Sequence, residues 1–230
     1  MFHKKATRHF FTVYEEFEKI IQIVVAKGLK KRYNYNWIKF EFYINNNTES
    51  GGLQMSNSAK LSARERIESL VDANSFVEIG GMITKRNTDF NMQEKAVPAD
   101  GVITGYGVVN SNLVYIYSQD VTALNGSVGE MHAKKIAGIY EMAMKAGAPV
   151  IGLIDCAGIR VQEAMDALAG FGDIYMAKVN ASGVIPQISA VLGSCGGGVA
   201  ISSKLGDITI IEKTNGKLFV NSPNAIAGNR

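Results

Sequence analysis

Two segments of the chain carry the apolar spacing of amphipathic helices, each preceded by a helix start signal. "LSARERIESLVDANSF" places Ile67, Leu70 and Val71 on one helical face, and Ser62 with Glu65 has the spacing of a capping box. "SVGEMHAKKIAGIYEMAMKAGAP" repeats this pattern with Ser127 and Glu130, and its glycine and proline predict the end of the helix. We also predict helices in "GIRVQEAMDALAGFGDIYMAK" and "GGGVAISSKL".

Other segments carry the pattern of β-strands. "GVITGYGVV" and "NLVYIYSQD" are rich in β-formers and meet at Asn110-Ser111, which predicts a hairpin. "PVIGLID", "IPQISAVLG" and "DITIIE" are continuous apolar runs, typical of strands buried on both faces. The polar stretch "TKRNTDFNMQEKAVPADG" predicts a loop. Because strands and helices alternate, we expect an α/β fold with a largely parallel sheet covered by helices.

The first 54 residues differ from the rest of the chain. They are crowded with Asn, Lys, Ile, Tyr and Phe, and they hold nine Lys/Arg against five Asp/Glu, so the remainder has a balance of −1 and gives little support to a nucleic-acid partner. We expect residues 1–54 to be a leader translated from upstream of a start at Met55, and 55–230 to be the functional domain. The alternative is a genuine basic helix within 13–29 that docks on a partner.

The cysteines and the lack of targeting signals indicate a compartment. Cys156 and Cys195 lie in apolar contexts and match no metal-ligand spacing, so we predict no metal site. "IIQIVVAKG" is too short to span a bilayer, and no signal peptide precedes it. We therefore expect a cytoplasmic protein.

Two glycine-containing turns follow neighbouring buried strands: "DCAGIR" at 155–160 and "GSCGGG" at 193–198. A phosphate loop needs Lys and Ser/Thr after the last glycine, but Val199 and Ala200 follow. The spacing does not match a dinucleotide fingerprint. A cysteine nucleophile at Cys195 needs a downstream histidine, and all three histidines are upstream. Cys195 is better interpreted as a small buried side chain.

The remaining chemistry for these turns is that of the backbone. Small residues at the start of a helix leave N–H groups uncovered, and such donors can stabilise the enolate oxygen of an acyl thioester. The structural alternative is tight helix–sheet packing, in which glycines only let backbones approach. Two turns at the ends of adjacent strands could place their N–H groups on one ligand, which favours the first interpretation.

With both turns in view, the chain resembles the carboxyltransferase subunits of biotin-dependent acyl-CoA carboxylases and decarboxylases. The resemblance runs from about Lys60 to Asn229 and includes "PADGVITGYGVVNSNLVYIYSQDVTALNGSVGEMHAKKI", "GAPVIGLIDCAGIRVQEAMDALAGFGDIY", "GSCGGGVA" and "LFVNSPNAI". It implies a crotonase-like α/β fold, a spiral of ββα units. Because family subunits are about twice as long, it also implies that this is an amino-terminal domain, incomplete at its carboxyl end.

The resemblance also implies roles for residues. Gly197 and Gly198 match the paired glycines whose N–H groups hold the thioester oxygen. The acyl-CoA pocket is expected to be lined by Ala157, Gly158, Ile159, Arg160 and Gly196. The residues at and beside this pocket differ from those that the family often has at four positions: Cys156, Ala157, Ile159 and Gly196. The resemblance therefore does not identify the acyl group of the substrate.

By the same resemblance, the substrate is a coenzyme A thioester, and biotin is carried on a separate carrier protein or domain. The biotin-side oxyanion site belongs to a carboxyl-terminal half. The expected partners are acyl-CoA, a biotin carboxyl carrier protein and further copies of the chain, with membrane decarboxylase subunits as an option. The expected reaction is carboxyl transfer between carboxybiotin and an acyl-CoA.

Two competing functions stay open. Another crotonase-fold hydratase or isomerase would need a carboxylate beside the turns, and Glu163 and Asp166 are the candidates. The other is an inactive fragment that binds CoA or serves in assembly.

Individual side chains also have two interpretations each. Arg160 either meets a CoA phosphate or pairs with Glu163. Lys134 and Lys135 are expected on a solvated helix face rather than at the CoA 3′-phosphate. His132 is expected to be a structural hydrogen-bonding group rather than a base, and Asp155 to cap an adjacent turn rather than to be catalytic.

Overall fold

The computed structural model describes residues 40–43, 61–87 and 97–221. Within the predicted leader, only the backbone strand at 40–43 falls in these ranges, and half of the loop predicted at 84–101 (88–96) also lies outside them. The boundary at residue 55 stays a prediction.

One mixed sheet forms the centre of the described structure. Its strands are β1 (Phe40–Tyr43), β2 (Val77–Ile79), β3 (Val102–Val109), β4 (Asn112–Gln119), β5 (Val150–Cys156), β6 (Gln187–Gly196), β7 (Ile208–Ile211) and β8 (Lys217–Phe219). The order is β1-β7-β6-β5-β4-β3-β2, and β8 pairs with the carboxyl end of β6. Strands β2 to β4 are antiparallel, and the pairings from β4 through β5, β6 and β7 to β1 are parallel. The predicted α/β class is confirmed.

Helices cover both faces of this sheet. They are α1 (Ala63–Glu68), α2 (Glu130–Ala146), α3 (Ala164–Ala181) and α4 (Gly198–Lys204). Along β5, Val150 and Ile154 join the core under α2 and α3, whereas Ile151 and Leu153 join the core under α1. Burial on both faces explains why this strand is a continuous apolar run rather than an alternating one.

The hairpin predicted at Asn110-Ser111 is confirmed. Both residues have positive φ, at 48° and 65°, which matches the turn type that two-residue hairpins use. The Asp72 carboxylate accepts hydrogen bonds from both backbone N–H groups, at 3.2 and 3.3 Å.

Only one of the two predicted capping boxes forms. Ser62 and Glu65 exchange the expected bonds: the Glu65 carboxylate accepts from the Ser62 N–H at 2.8 Å, and the Ser62 hydroxyl accepts from the Glu65 N–H at 3.3 Å. The box predicted at Ser127 and Glu130 was wrong. Helix α2 begins after Gly129, and the Glu163 carboxylate, from another segment, accepts the Glu130 N–H at 2.7 Å.

None of the helices in the described ranges combines the length and the apolar character needed to cross a membrane.

Candidate functional site

The turn after β5 is held away from the sheet by a parallel bridge to the loop at 124–128. The Ala157 N–H donates to the Asn125 carbonyl at 3.0 Å, and the Gly158 carbonyl accepts from the Val128 N–H at 2.9 Å. Gly158 has φ +127°, a conformation that glycine adopts far more readily than other residues. In this turn, Ala157 and Ile159 are exposed while Gly158 and Arg160 are buried. The first pair therefore forms the surface of the turn.

The turn after β6 needs its glycines for two different reasons. Gly197 has φ +60° and ψ −129°, which other residues rarely adopt, although nothing lies within 4 Å of where its Cβ would be. At Gly198 the reason is space, because a Cβ would lie 2.8 Å from the Phe171 ring and from the Tyr175 hydroxyl. That hydroxyl also donates to the Gly198 carbonyl at 2.8 Å. Both glycines are therefore fixed by the fold.

The two turns touch each other, as their positions after adjacent strands predict. A Cβ on Gly196 would lie 2.9 Å from the Ala157 carbonyl oxygen, and a Cβ on Gly158 would lie 3.4 Å from the Gly196 carbonyl oxygen. Asp155, at the end of β5, joins them further, since its carboxylate accepts from the Ser194 N–H at 3.2 Å. Its other oxygen pairs with Arg66 at 2.8 Å. Asp155 therefore binds the backbone of the neighbouring strand β6 and the Arg66 side chain of α1, whereas it was expected to cap the adjacent turn.

Backbone donors differ between the two predicted glycines. The Gly197 N–H donates to the Phe219 carbonyl of β8 at 3.0 Å. Gly198 is the first residue of α4, and the first N–H groups of a helix have no partner within it. The roles of Gly197 and Gly198 as oxyanion donors stay predictions.

Arg160 lies inside the protein, in an ionic network below the β5 turn. Its fully buried guanidinium pairs with Asp100 and, at 2.8 Å, with Glu163, and it donates to the Ser127 carbonyl at 2.8 Å. Of the two interpretations of this side chain, the pairing with Glu163 is the one that forms. The placement of Arg160 in the acyl-CoA pocket is therefore corrected: its guanidinium does not reach a surface that a CoA phosphate could contact.

This network joins four segments of the chain. Asp100 sits in a 3₁₀ turn (Pro98–Gly101) and accepts the His132 N–H of α2 at 2.7 Å, while Glu163 accepts the Glu130 N–H. A Cβ on Gly129 would lie 2.5 Å from the Arg160 guanidinium and 2.6 Å from the Glu163 carboxylate, so this position is restricted to glycine. Burial raises the pKa of Asp100, and the neighbouring guanidinium opposes that rise.

His132 is a structural hydrogen-bonding residue, as predicted. Its Nδ1–H donates to the Asp100 carbonyl at 2.9 Å, and its Nε2 accepts from the Gln119 amide at 3.2 Å. Burial, together with the charge of Arg160, lowers its pKa to about 3, so the imidazole is neutral at pH 7.

The other side chains that were considered for chemistry are buried or are paired with other residues of the protein. Burial raises the pKa of Cys156 to about 12 and that of Cys195 to about 11, so both thiols stay protonated, and the packing role predicted for Cys195 is confirmed. Glu163 is buried in the Arg160 network, and exposed Asp166 pairs with Arg86. No group of three or more potential metal-ligating side chains occurs within 61–87 and 97–221.

The two lysines of α2 differ from each other. Lys134 is exposed and pairs with Glu130 at 2.6 Å, as a solvated face predicts. Lys135 is buried and donates to the carbonyls of Ala99 and Val102, so its predicted exposure was wrong. Burial lowers the pKa of Lys135 to about 8.

The sequence did not single out the residues that contact the turns from other parts of the chain. Asp100, Gly129, Phe171, Tyr175 and Phe219 contact the turn residues from segments well removed in the chain. The one indication of this packing in the sequence is the pair of glycines Gly126 and Gly129, which is typical of a close approach between backbones.

The described structure is thus an α/β protein in which two glycine turns contact each other at the ends of adjacent parallel strands. A family model described as the carboxyl transferase domain matches residues 54–228, and the chain belongs to this family.

Individual relatives agree with this assignment. The propionyl-CoA carboxylase beta chain of Roseobacter denitrificans is 47% identical over 167 residues, which cover 73% of this chain and 33% of that one. The methylmalonyl-CoA decarboxylase subunit alpha of Veillonella parvula has the same identity and coverage. The transcarboxylase 12S structure, described as a hexamer with methylmalonyl-coenzyme A bound, has a TM-score of 0.70 and 40% identity over 73% of this chain and 32% of that one.

The fold is crotonase-like, as predicted. The chain spans about a third of the length of the curated relatives it matches.

Proposed function

We propose that this chain binds an acyl-CoA thioester at the two contacting turns and takes part in carboxyl transfer between carboxybiotin and the acyl-CoA, in the carboxylase or the decarboxylase direction. The observation that carries the proposal is the contact between the turns. Gly158 and Gly196 are both buried and approach so closely that the backbones of the two turns pack directly against each other.

The reaction needs an enolate at the thioester, and its oxygen gains negative charge. Donors that point at such an oxygen lower the barrier, and loss of one typically costs about 10²–10³ in rate. We assign the Gly198 N–H as the first donor. The Gly197 N–H is the second, and it would have to share or release its bond to the Phe219 carbonyl when the thioester binds.

The acyl group would lie against the exposed side chains of the β5 turn, Ala157 and Ile159, while Gly158 and Gly196 let the two turns pack together beneath it. Arg160 contributes from below by holding this turn to α2. Ile159 is larger than the alanine that the family often has at this position, so it narrows the surface available to the acyl chain.

When bound, carboxybiotin supplies CO2, and the biotin that remains can take the α-proton of the acyl-CoA. We propose that biotin arrives on a separate carrier protein, and we assign none of the described residues to it. The residues of this chain bind the thioester, orient it and stabilise its oxygen.

A hydratase or isomerase would require a free carboxylate at the turns. Glu163 is buried against Arg160, and Asp166 pairs with Arg86 on the surface. Glu163 is therefore not free to act as a general base, which favours carboxyl transfer.

Acyl-CoA, a biotin carboxyl carrier protein and further copies of the chain are the proposed partners, and a cytoplasmic location is proposed. Membrane decarboxylase subunits are a further partner if the reaction runs as a decarboxylase, as the similarity to methylmalonyl-CoA decarboxylase subunits alpha suggests.

The test uses methylmalonyl-CoA labelled in its free carboxyl group, with and without free biotin, added to the purified chain. We expect methylmalonyl-CoA to bind to the chain, and any release or transfer of label to require biotin. Release of label at the same rate without biotin would contradict carboxyl transfer. Absence of binding would contradict the site itself.

A further inference from the structure

One row of residues on the face of the sheet that α2 and α3 cover differs from the apolar residues around it. Its members are partners in register on neighbouring strands, from β4 to β7: Tyr117, Gly152, Ser189 and Thr209. The residues before and after Gly152 on the same face of β5, Val150 and Ile154, are apolar and belong to the core. Hydroxyl groups therefore form a polar layer inside a core that is otherwise apolar.

The helices and the start of β6 add further polar side chains to this layer. Lys178 of α3 has its Nζ 5.5 Å from the centroid of the Tyr140 ring of α2, and that ring is 6.4 Å from the Tyr117 ring. Gln187 donates from its Nε2 to the Lys178 carbonyl at 2.9 Å. A Cβ on Gly152 would lie 2.3 Å from the Tyr117 hydroxyl, so this glycine makes room for the hydroxyl. Side chains from α2, α3, β4 and β6 thus converge inside the protein.

Four of these side chains carry a polar atom that has no hydrogen-bond partner among the described residues. The atoms are the Lys178 Nζ, the Tyr140 hydroxyl, the Gln187 Oε1 and the Ser189 hydroxyl, and all four residues are fully buried. Nearly all buried polar atoms in proteins bind another protein group or an ordered water molecule. Four such atoms in one part of the core therefore indicate a ligand that they share.

We propose that these four side chains form an internal site for ordered water, which we call the Lys178 site. In this site Lys178 and Tyr140 donate hydrogen bonds to the water, and the water donates to the Gln187 Oε1 and to the Ser189 hydroxyl. The site lies in the core between the helices and the sheet, and it does not depend on the proposed carboxyl transfer.

The chemistry of the four groups favours water over an ion. The Lys178 ammonium can only donate, whereas the Gln187 Oε1 can only accept. The orientation of the Gln187 amide is fixed, because its Nε2 already binds the Lys178 carbonyl. A metal cation would be repelled by Lys178, and an anion would be repelled by the Gln187 Oε1. Water both donates and accepts, and a buried water molecule typically makes about three hydrogen bonds.

The charge of Lys178 is a second reason for water at this site. Burial lowers the pKa of Lys178 to about 8, so the amine still carries its proton in most molecules at pH 7. An ammonium ion without hydrogen-bond acceptors is very costly inside a protein. The interaction with the face of the Tyr140 ring offsets a part of this cost, and bound water supplies the missing acceptors.

The Lys178 site would join α3 to the sheet close to the second glycine turn. Lys178 follows Tyr175 by one helical turn, and the Tyr175 hydroxyl donates to the Gly198 carbonyl at 2.8 Å. Water that binds Lys178 and the strand β6 therefore helps to set the position of the helix that contacts Gly198.

The first test is oxygen-17 relaxation dispersion of water, which measures water molecules that stay inside a protein for longer than its tumbling time. The samples are the 230-residue chain, Lys178→Met and, as the matched control, Lys145→Met at an exposed lysine of α2. We expect Lys178→Met to lower the dispersion amplitude by that of at least one water molecule and Lys145→Met to leave it unchanged. An unchanged amplitude in Lys178→Met, or equal losses in both variants, would overturn the proposal.

The second test uses the unmodified chain, so that it holds even if Lys178→Met does not fold. Nuclear Overhauser effects should connect water with the carbon-bound side-chain protons of Lys178 and Gln187, which are both fully buried. The absence of these effects would contradict bound water. A bound anion is tested by chlorine-35 resonance: broadening by the unmodified chain that exceeds the broadening by Lys178→Met would assign the site to chloride and overturn the proposal, and equal line widths would support it.

Discussion

At the scale of single residues, Arg160 is the side chain on which the β5 turn depends most. Its guanidinium pairs with both Asp100 and Glu163 inside the protein and binds the Ser127 carbonyl. Removing one partner of a buried ion pair leaves an uncompensated charge, which costs about 3–5 kcal/mol. The turn that carries Ala157 and Ile159 is thus fixed by a side chain that need not touch the ligand.

We predict that Arg160→Met lowers the free energy of unfolding by about 3–5 kcal/mol, measured by urea denaturation. Arg86→Met is the control, because Arg86 pairs with Glu130 and Asp166 at the surface, where an ion pair contributes about 0–1 kcal/mol. Equal losses for the two variants would show that the buried network has no special role.

The glycines of α2 and its start provide a second prediction. Gly129→Ala should destabilise the protein by about 1–3 kcal/mol, because the new methyl group would clash with the Arg160 and Glu163 side chains. Gly138→Ala, at an open position inside α2, should instead stabilise it by about 0.5–1 kcal/mol. Thermal unfolding measured by circular dichroism distinguishes the loss of stability expected for Gly129→Ala from the gain expected for Gly138→Ala. A gain in stability for Gly129→Ala would contradict the packing described.

The buried histidine makes stability depend on pH. The pKa of His132 is about 3 in the folded chain and 6.5 when the side chain is exposed. Between these two pH values the unfolded state therefore binds a proton at His132 and the folded state does not. Its contribution is complete above about pH 6.5 and is lost as the pH falls toward 3. At pH 5 this loss is about 2 kcal/mol relative to pH 7.

The slope of the unfolding free energy against pH is proportional to the number of protons that bind on unfolding. We expect His132→Asn to lower this number by one between pH 6.5 and 4. Urea titrations at several pH values measure this slope in both proteins. Asp100 and Asp207 have raised pKa values and oppose the trend, so the difference between the two proteins carries the prediction. Identical slopes would show that His132 is protonated in the folded state.

At the scale of secondary-structure elements, the helix starts show what local sequence predicts and where it fails. Ser62 and Glu65 form their capping box because both partners lie within one helical turn. Ser127 and Glu130 have the same spacing, but the Arg160 guanidinium binds the Ser127 carbonyl and Glu163 caps the helix instead. A capping residue that comes from another segment leaves no local signal.

Ser62→Ala should therefore lower the unfolding free energy by about 1 kcal/mol. Because the box is reciprocal, Glu65→Ala and the double variant should show a coupling between the two residues rather than additive losses. Chemical denaturation of the four proteins measures this coupling, and strictly additive values would contradict the observed pair of hydrogen bonds.

At the scale of the whole molecule, the order of strands and helices from β3 to β7 could be predicted from the sequence because it depends on apolar periodicity, whereas the short strands β1, β2 and β8 were not predicted. The adjacency of the two glycine turns followed from the parallel strands that precede them. The burial of Arg160 and Lys135 could not be predicted, since it depends on contacts with Asp100, Ala99 and Val102 across the fold. A charged side chain in the sequence gives no indication of a buried partner distant in the chain.

The central claim, that the two turns form one acyl-CoA site, is tested most directly by nuclear magnetic resonance of the chain labelled with ¹⁵N-glycine. We predict that propionyl-CoA shifts the amide signals of Gly158, Gly197 and Gly198 together, with one dissociation constant. The signals of Gly138 and Gly147, which are distant in the sequence and lie on α2 and at its end, should not move. Shifts confined to glycines outside the two turns, or no shifts at saturating propionyl-CoA, would contradict the account.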